Sequence, residues 1–201
     1  LLSRGLGDVY KRQLLPQAKP ELMQAIPWMA PFLDERGHIV LSIHALVIES
    51  ADHTIVVDTC IGNDKPRTYP KWNLMQGDFL ARFAAAGFTT EQVDTVLCTH
   101  MHVDHVGWNT RWVDGRWQPT FPWAQYLFAE DEWHHWRQEA QEYGPVIEDS
   151  VQPIFDAGQA VIVAQQHQVT DEVSLQPTPG HTPGHVSVRI QSRGDVAIIT
   201  G

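Results

Sequence analysis

The chain of 201 residues has little cysteine, few basic residues and no long apolar run. Two cysteines, Cys60 and Cys98, cannot make a disulfide framework; both lie on or beside apolar stretches that read as strands, where core thiols are expected. Lys and Arg number 14 against 24 Asp and Glu, a formal net charge of −10. That balance, with no basic stripe, argues against a nucleic-acid partner. No segment approaches the ~20 apolar residues of a membrane span, so no membrane partner is expected. The N-terminus carries no apolar stretch of signal-peptide length, which leaves a cytoplasmic location as the default. No Gly-Lys-Ser/Thr phosphate loop is present. Hydrophobic residues at 43% and charged residues at 19% place the chain among globular proteins. Its length suffices to bury about 70% of the unfolded surface.

Against this background the run His100-Met101-His102-Val103-Asp104-His105 stands out. Four residues of metal-ligand type occupy six positions, and each would otherwise need its own polar partner or water. Imidazole nitrogen with carboxylate oxygen suits Zn²⁺, with Fe, Mn or Co as substitutes. The run follows Val93 to Thr99, an apolar stretch that reads as a buried strand, so the ligands sit where a strand gives way to a loop. A second cluster, Pro177-Thr178-Pro179-Gly180-His181-Thr182-Pro183-Gly184-His185, also follows a short strand. Proline there limits the entropy of holding a ligand, and glycine lets backbones approach.

Coarse patterning alternates strands and helices. Residues 20–33 read as irregular. His38 to Ser50 and Thr54 to Asp58 read as a strand pair turning at Ala51-Asp52-His53. Leu74 to Ala86 reads as a helix stopped by Gly87. Asp114-Gly115 is a hairpin signal. Gln125 to Phe128 reads as a strand, and Ala129 to Glu142 and Ile147 to Ala157 as helices. Strands over Ala160–Ala164, Val173–Thr178, His185–Gln191 and Asp195–Thr200 complete the chain.

The two histidine motifs, in this order and some seventy residues apart, resemble those of the metallo-β-lactamase fold hydrolases. Ile55-Val56-Val57-Asp58-Thr59 is similar to that family's strand ending in Asp-Thr-Gly, here with Cys60 in the glycine's place. The resemblance covers roughly residues 38 to 201. Within the family it points to the broad branch of acyl-homoserine lactonases and methyl-parathion-type hydrolases. It implies an α/β fold, a four-layer αββα sandwich. His100, His102 and His181 resemble the ligands of a first metal, Asp104 and His105 those of a second, and Asp58 the carboxylate that orients ligands without binding the ion. His185 is expected beside the ligands, supporting them. The family's bridging Asp would fall directly after Gly201, with another His beyond it. The sequence therefore reads as a fragment, incomplete at the C-terminus, expected to hold about one ion well and to hydrolyse poorly. Residues 1–13, without an initiating Met or periodicity, resemble an adapter-derived leader, which leaves 14–201 as a single domain.

The implied activity is metal-dependent hydrolysis of an ester-like bond, with a lactone favoured and two zinc ions expected in the complete protein. Two ions ~3.5–4 Å apart share and activate a water, and Asp104 orients it or passes its proton to the leaving group. The partner is a small-molecule substrate; the oligomeric state is not legible. A phosphotriester, thioester or β-lactam fits the same site, as does a non-catalytic metal-binding fragment. Iron-based redox chemistry is a further class, although His102-Val103-Asp104 departs from the His-x-Glu-x-Asp spacing of the diiron flavoprotein branch. Other residues carry plainer readings. His134 and His135, adjacent on a helix, face about 100° apart and suit a solvated face better than one shared ion. His44 suits a satisfied interior or rim position. Trp108 and Asn109 are candidates for a substrate pocket, with ordinary packing equally open.

Overall fold

In a computed structural model, which describes residues 3–4, 18–139 and 142–201, the chain forms two compact units. The first ends at His44. In it, strand β1 (Ser3–Arg4) pairs antiparallel with β2 (Ser42–Ile43). The stretch expected to be irregular contains a short helix, α1 (Pro20–Gln24), and a 3₁₀ segment, Pro27–Phe32. Each has proline in its first turn, where the missing N–H leaves nothing unpaired. Asp34 closes the following turn, its Oδ1 accepting from Arg36 N at 3.0 Å and His38 N at 2.8 Å. His44 is exposed, with Nδ1 3.3 Å from Ser42 Oγ. The leader expected over residues 1–13 lies outside the described residues apart from Ser3–Arg4.

The second unit, from Ala45 to Gly201, holds two sheets and a hairpin. The five-stranded sheet uses β3 (Leu46–Ser50), β4 (His53–Val57), β5 (Thr95–Leu97), β8 (Gln125–Ala129) and β9 (Ala160–Val163), in the order β3-β4-β5-β8-β9. β3 and β4 are an antiparallel pair, and the other neighbours are parallel. The four-stranded sheet is antiparallel: β10 (His167–Gln168), β11 (Val173–Pro177), β12 (Val186–Ser192) and β13 (Asp195–Ile199). β6 (Thr110–Val113) and β7 (Arg116–Pro119) form the hairpin read from Asp114-Gly115. Both turn residues have positive φ, 51° and 79°, as a type I′ turn demands.

The period-two rule explains the core. Ile55 and Val57 on β4, with Leu97, Leu127 and Val163 on its neighbours, pack against Val173, Leu175, Val186 and Val188 of the second sheet. Each such side chain contributes about 1.5–3 kcal/mol of burial. The alternate residues Val56, Val96, Tyr126 and Phe128 are also fully buried, on the opposite face. Helices flank that face: α2 (Phe79–Ala85), α3 (Glu130–Trp136) and α4 (Gln152–Asp156). Phe83 meets Phe121 at 5.7 Å, and Phe128 stacks on Phe155 at 5.8 Å. Burial on both faces is why the parallel strands read as continuous apolar runs. On the second sheet, Val196 and Ile198 of β13 are each 54% exposed, so no helix covers that part of its outer face among the described residues.

The helices are shorter than their periodicity suggests. α2 begins at Phe79, because Leu74 sits at φ 50°, a left-handed conformation no right-handed helix can include. α3 ends at Trp136, and residues 140 and 141 of the longer helix expected there lie outside the described residues. Residues 147–156 form a π turn, Ile147–Val151, followed by α4, with a proline near its start. Proline cannot donate into the helix ladder, which breaks the hydrogen-bond register at that point. No helix among the described residues is long and apolar enough to cross a membrane.

Candidate metal centre

The carboxyl ends of β4 and β5 and the β11–β12 connection converge on one edge of the sandwich. Past β4 the backbone takes positive φ at Asp58 (56°) and Cys60 (55°), and past β5 it enters the His100–His105 loop. These two loops are bonded backbone to backbone. Thr59 N donates to His105 O at 2.7 Å, Gly107 N to Cys60 O at 2.7 Å, and Trp108 N to Thr59 O at 2.8 Å. The family's glycine is thus replaced at Cys60 by a residue that still adopts the glycine-favouring conformation. The third loop joins directly, Val186 N donating to Thr99 O at 3.0 Å.

A relay of hydrogen bonds sets the imidazoles. Asp58, buried, accepts from Thr99 N at 2.8 Å and from Thr99 Oγ1 at 3.0 and 2.8 Å through its two oxygens. With its proton directed to Asp58, Thr99 Oγ1 is left to accept from His100 Nδ1 at 3.1 Å. His100 Nε2 then carries a bare lone pair, and it is buried with no hydrogen-bond partner. His105 Nδ1 likewise faces Asp58 Oδ2 at 2.7 Å, turning Nε2 towards Asp104 Oδ2 at 3.6 Å. One carboxylate therefore fixes the tautomers of two histidines, the arrangement that prepares imidazoles for ions.

His100, His102 and His181 form one cluster, with a ligand atom from each lying within 4.8 Å of the others. His102 Nδ1 and His181 Nε2 are 2.9 Å apart. Two imidazole nitrogens at that distance repel through their lone pairs unless a proton or cation lies between them. Burial and the surrounding imidazoles push the pKa of His100 far down, and that of His102 down to about 4. Neutral imidazoles are the metal-binding form. His105 differs: burial opposes its charge, but Asp58 outweighs burial and raises the pKa to about 9. The orphaned Nε2, the facing nitrogens and the neutral rings all fit a divalent ion held by these three residues.

Other expected residues are placed as follows. His185 donates or accepts at Thr178 Oγ1, 2.9 Å from Nδ1, and its ring lies 5.0 Å from that of His100, beside the cluster. Gly201 packs against His185 and Thr99 so closely that an added Cβ would lie 2.7 Å from His185 Nε2. Trp108 and Asn109 are buried. Trp108 is 6% exposed and stacked on Phe79 at 5.2 Å, while Asn109 is fully enclosed and accepts from Thr59 Oγ1 at 3.0 Å. The 3₁₀ turn Gly107–Asn109 folds them inward to anchor the β4 loop. His134 is exposed, and His135 Nδ1 lies 3.8 Å from Glu139. Both cysteines are free; burial, with the charge of Asp58 adding, pushes the Cys60 thiol up to about 12 and the Cys98 thiol higher. These are packed thiols without thiolate character.

Two residues near the centre escaped the sequence reading. Glu132 is 1% exposed and bonded to both histidine loops. Trp136 sets its indole edge against His102, ring centres 5.0 Å apart. Nothing in the run Glu130-Asp131-Glu132 distinguishes the carboxylate that turns inward.

The metallo-beta-lactamase superfamily model matches residues 38–201. The chain belongs to this superfamily. No curated protein matches it. Among solved structures, it is similar to a probable metal-dependent hydrolase from Staphylococcus aureus at 24% identity and TM-score 0.67, covering 87% of this chain and 63% of that one. The hydrolase AbOPH of the beta-lactamase superfamily aligns at 23% identity and TM-score 0.69, over 90% and 62% of the two chains. AidC, a dizinc quorum-quenching lactonase in complex with a product, aligns at 17% identity and TM-score 0.71, over 98% and 72%. The chain thus spans less than two thirds of the length of the first two. At these identities the similarity is one of fold, and the superfamily's sandwich is the fold described above.

Proposed function

We propose that this chain carries the metal centre of a hydrolase that cleaves an ester-like bond in a small molecule, with a lactone as the first substrate class. The reading is carried by one observation: His100 Nε2 is buried without a partner amid His102 and His181, a donor set made for a divalent cation. His100, His102 and His181 hold a first ion, and Asp104 and His105 contribute to a second. Zn²⁺ fits imidazole nitrogen and carboxylate oxygen, with Fe, Mn or Co as substitutes. A bound ion of this kind supplies Lewis acidity and brings water ionisation towards neutral pH.

The protein's own groups do the rest. Asp58 holds His105 and, through Thr99, His100 in their binding tautomers. Asp104, partly exposed, takes the proton of the attacking water and returns it to the alkoxide oxygen released when the acyl carbon–oxygen bond breaks. Trp136 offers apolar surface beside His102, suited to the hydrocarbon part of an acyl substrate. The lactone preference is supported by neighbours of the same fold, among them the dizinc lactonase AidC and an N-acyl homoserine lactone hydrolase.

The test is chelator-sensitive proton release from an acyl lactone by the zinc-loaded protein, with a thioester, a phosphotriester and a β-lactam run alongside. Faster opening of the lactone is expected. Turnover of a competitor alone would move the substrate class and keep the hydrolase. In parallel, His102→Ala is expected to abolish Zn²⁺ binding and His135→Ala to preserve it; equal loss in both would overturn the ligand assignment.

A further inference from the structure

Glu132 is the inward-facing member of the three acidic residues in the first turn of α3. Glu130 and Asp131 are exposed, whereas Glu132 is 1% exposed. An ionised carboxylate offers about four acceptor positions, and here four donors occupy them. Oε1 accepts from Met101 N at 2.9 Å and from Trp136 Nε1 at 2.5 Å. Oε2 accepts from Thr182 Oγ1 at 2.7 Å and from Gly184 N at 3.1 Å. Met101 separates His100 from His102, and Thr182 follows His181. One buried side chain therefore grips the backbone between two ligands of the first loop and the residue next to the third ligand. A third bond holds Gly184 of the same second loop, and the fourth orients Trp136, whose indole packs against His102.

The contact is tight enough to define a distance. A Cβ on Gly184 would lie 2.0 Å from Glu132 N, so the β11–β12 loop rests directly on the start of α3. Each loop also meets the sheet elsewhere, yet no other buried carboxylate among the described residues bonds to both histidine loops at these positions.

We propose that Glu132 is a positioning residue: it holds the His100–His102 loop and the His181 loop at the separation that lets three imidazoles share one ion. The inference rests on the metal-centre reading above. It is tested with Glu132→Gln, which keeps size but places an amide N–H₂ against donors, and with Thr182→Val, which removes the shorter of its two bonds to the second loop. Phe83→Leu, in the aromatic cluster on the buried face of α2, serves as a control for plain loss of stability.

Zn²⁺ affinity is read by competition with a chromophoric chelator, and ligand geometry by the d–d absorption of the Co²⁺-loaded protein. The expected result is affinity about 10-fold or more weaker in Glu132→Gln and Thr182→Val, the range seen when groups that orient metal ligands are removed, with shifted Co²⁺ bands. Phe83→Leu is expected to lower the melting temperature and leave Zn²⁺ affinity and the Co²⁺ spectrum unchanged. Should Glu132→Gln fail to fold, Thr182→Val decides. Wild-type Zn²⁺ affinity and an unaltered Co²⁺ spectrum in the two variants would overturn the inference alone. Absence of Zn²⁺ binding by the unmodified protein would overturn the metal-centre reading and the inference with it.

Discussion

Asp58, held at φ 56°, sets its Oδ2 2.7 Å from Nδ1 of His105, a residue 47 positions later in the chain. The same carboxylate reaches His100 through Thr99 Oγ1. A left-handed backbone at a non-glycine residue is uncommon, and here it aims a carboxylate back under two histidines. Asp58→Ala is expected to weaken Zn²⁺ binding about 10- to 100-fold, because both imidazoles lose the group that fixes their tautomers. Chelator competition measures it, and unchanged affinity would contradict the relay.

Gly107 lies where the β4 and β5 loops cross. A Cβ there would fall 1.9 Å from the carbonyl carbon and oxygen of Ile61, both backbone atoms that cannot swing aside. Gly107→Ala is expected to destabilise the protein by about 3 kcal/mol or more, at the upper end of overpacking effects. Urea unfolding should show a lower midpoint; a midpoint equal to wild type would mean the loops separate freely.

Asp149, in the π turn, neutralises two buried cations. Arg67 donates to its oxygens at 2.6 and 2.9 Å, and Lys65 Nζ lies 3.4 Å from Oδ1 while donating to Asp149 O and Thr110 Oγ1, each at 2.8 Å. At pH 6, where Lys65 as well as Arg67 is charged, Asp149→Ala strands both charges in the interior, and a loss of about 3–5 kcal/mol is expected in denaturant unfolding. A loss below 1 kcal/mol would mean that water reaches the cations once the carboxylate is gone.

Lys65 gives the fold a pH dependence of its own. The side chain is fully buried, with Nζ 3.8 Å above the ring of Trp117. Burial, helped by the like charge of Arg67 and opposed by Asp149, lowers its pKa from 10.5 to about 7. Between these values the unfolded chain binds the proton and the folded chain releases it. Stability contributed by Lys65 therefore rises with pH across this window, by up to about 1.4 kcal/mol per pH unit. Below pH 7 both states are protonated and the dependence vanishes. Urea unfolding of wild type and Lys65→Met from pH 6 to 10 checks the sign: wild type should gain on the variant as pH rises. A constant difference would show that Lys65 keeps its proton throughout.

Much of the fold was legible because its signals are local. The period-two core of β4, the continuous apolar run into β5 and the Asp114-Gly115 turn each depend on residues adjacent in sequence. Helix lengths were not legible. Leu74 matches a helical face, yet its positive φ arises from a turn closed by Leu74 N donating to Lys65 O at 2.8 Å, a bond across the loop. Trp108 and Asn109 show the same limit: their place beside the histidine run leaves a pocket and ordinary packing equally open, and it is a single 3₁₀ turn that buries them.

The sequence by itself determined the kind of chemistry available, since four metal-type side chains in six positions, followed by a proline-stiffened histidine loop, have few other uses. It also determined which strands are buried, because solvent exclusion acts on every residue of a short run alike. Only the tertiary structure decided which carboxylates serve the centre. Asp58 and Glu132 act through bonds to residues 31 to 52 positions away, and Glu132 is set apart from Glu130 and Asp131 only by the direction it faces on α3. Hydrogen bonds depend on distance and angle in space, and those follow from how the sheets bring chain segments together, which no local pattern encodes.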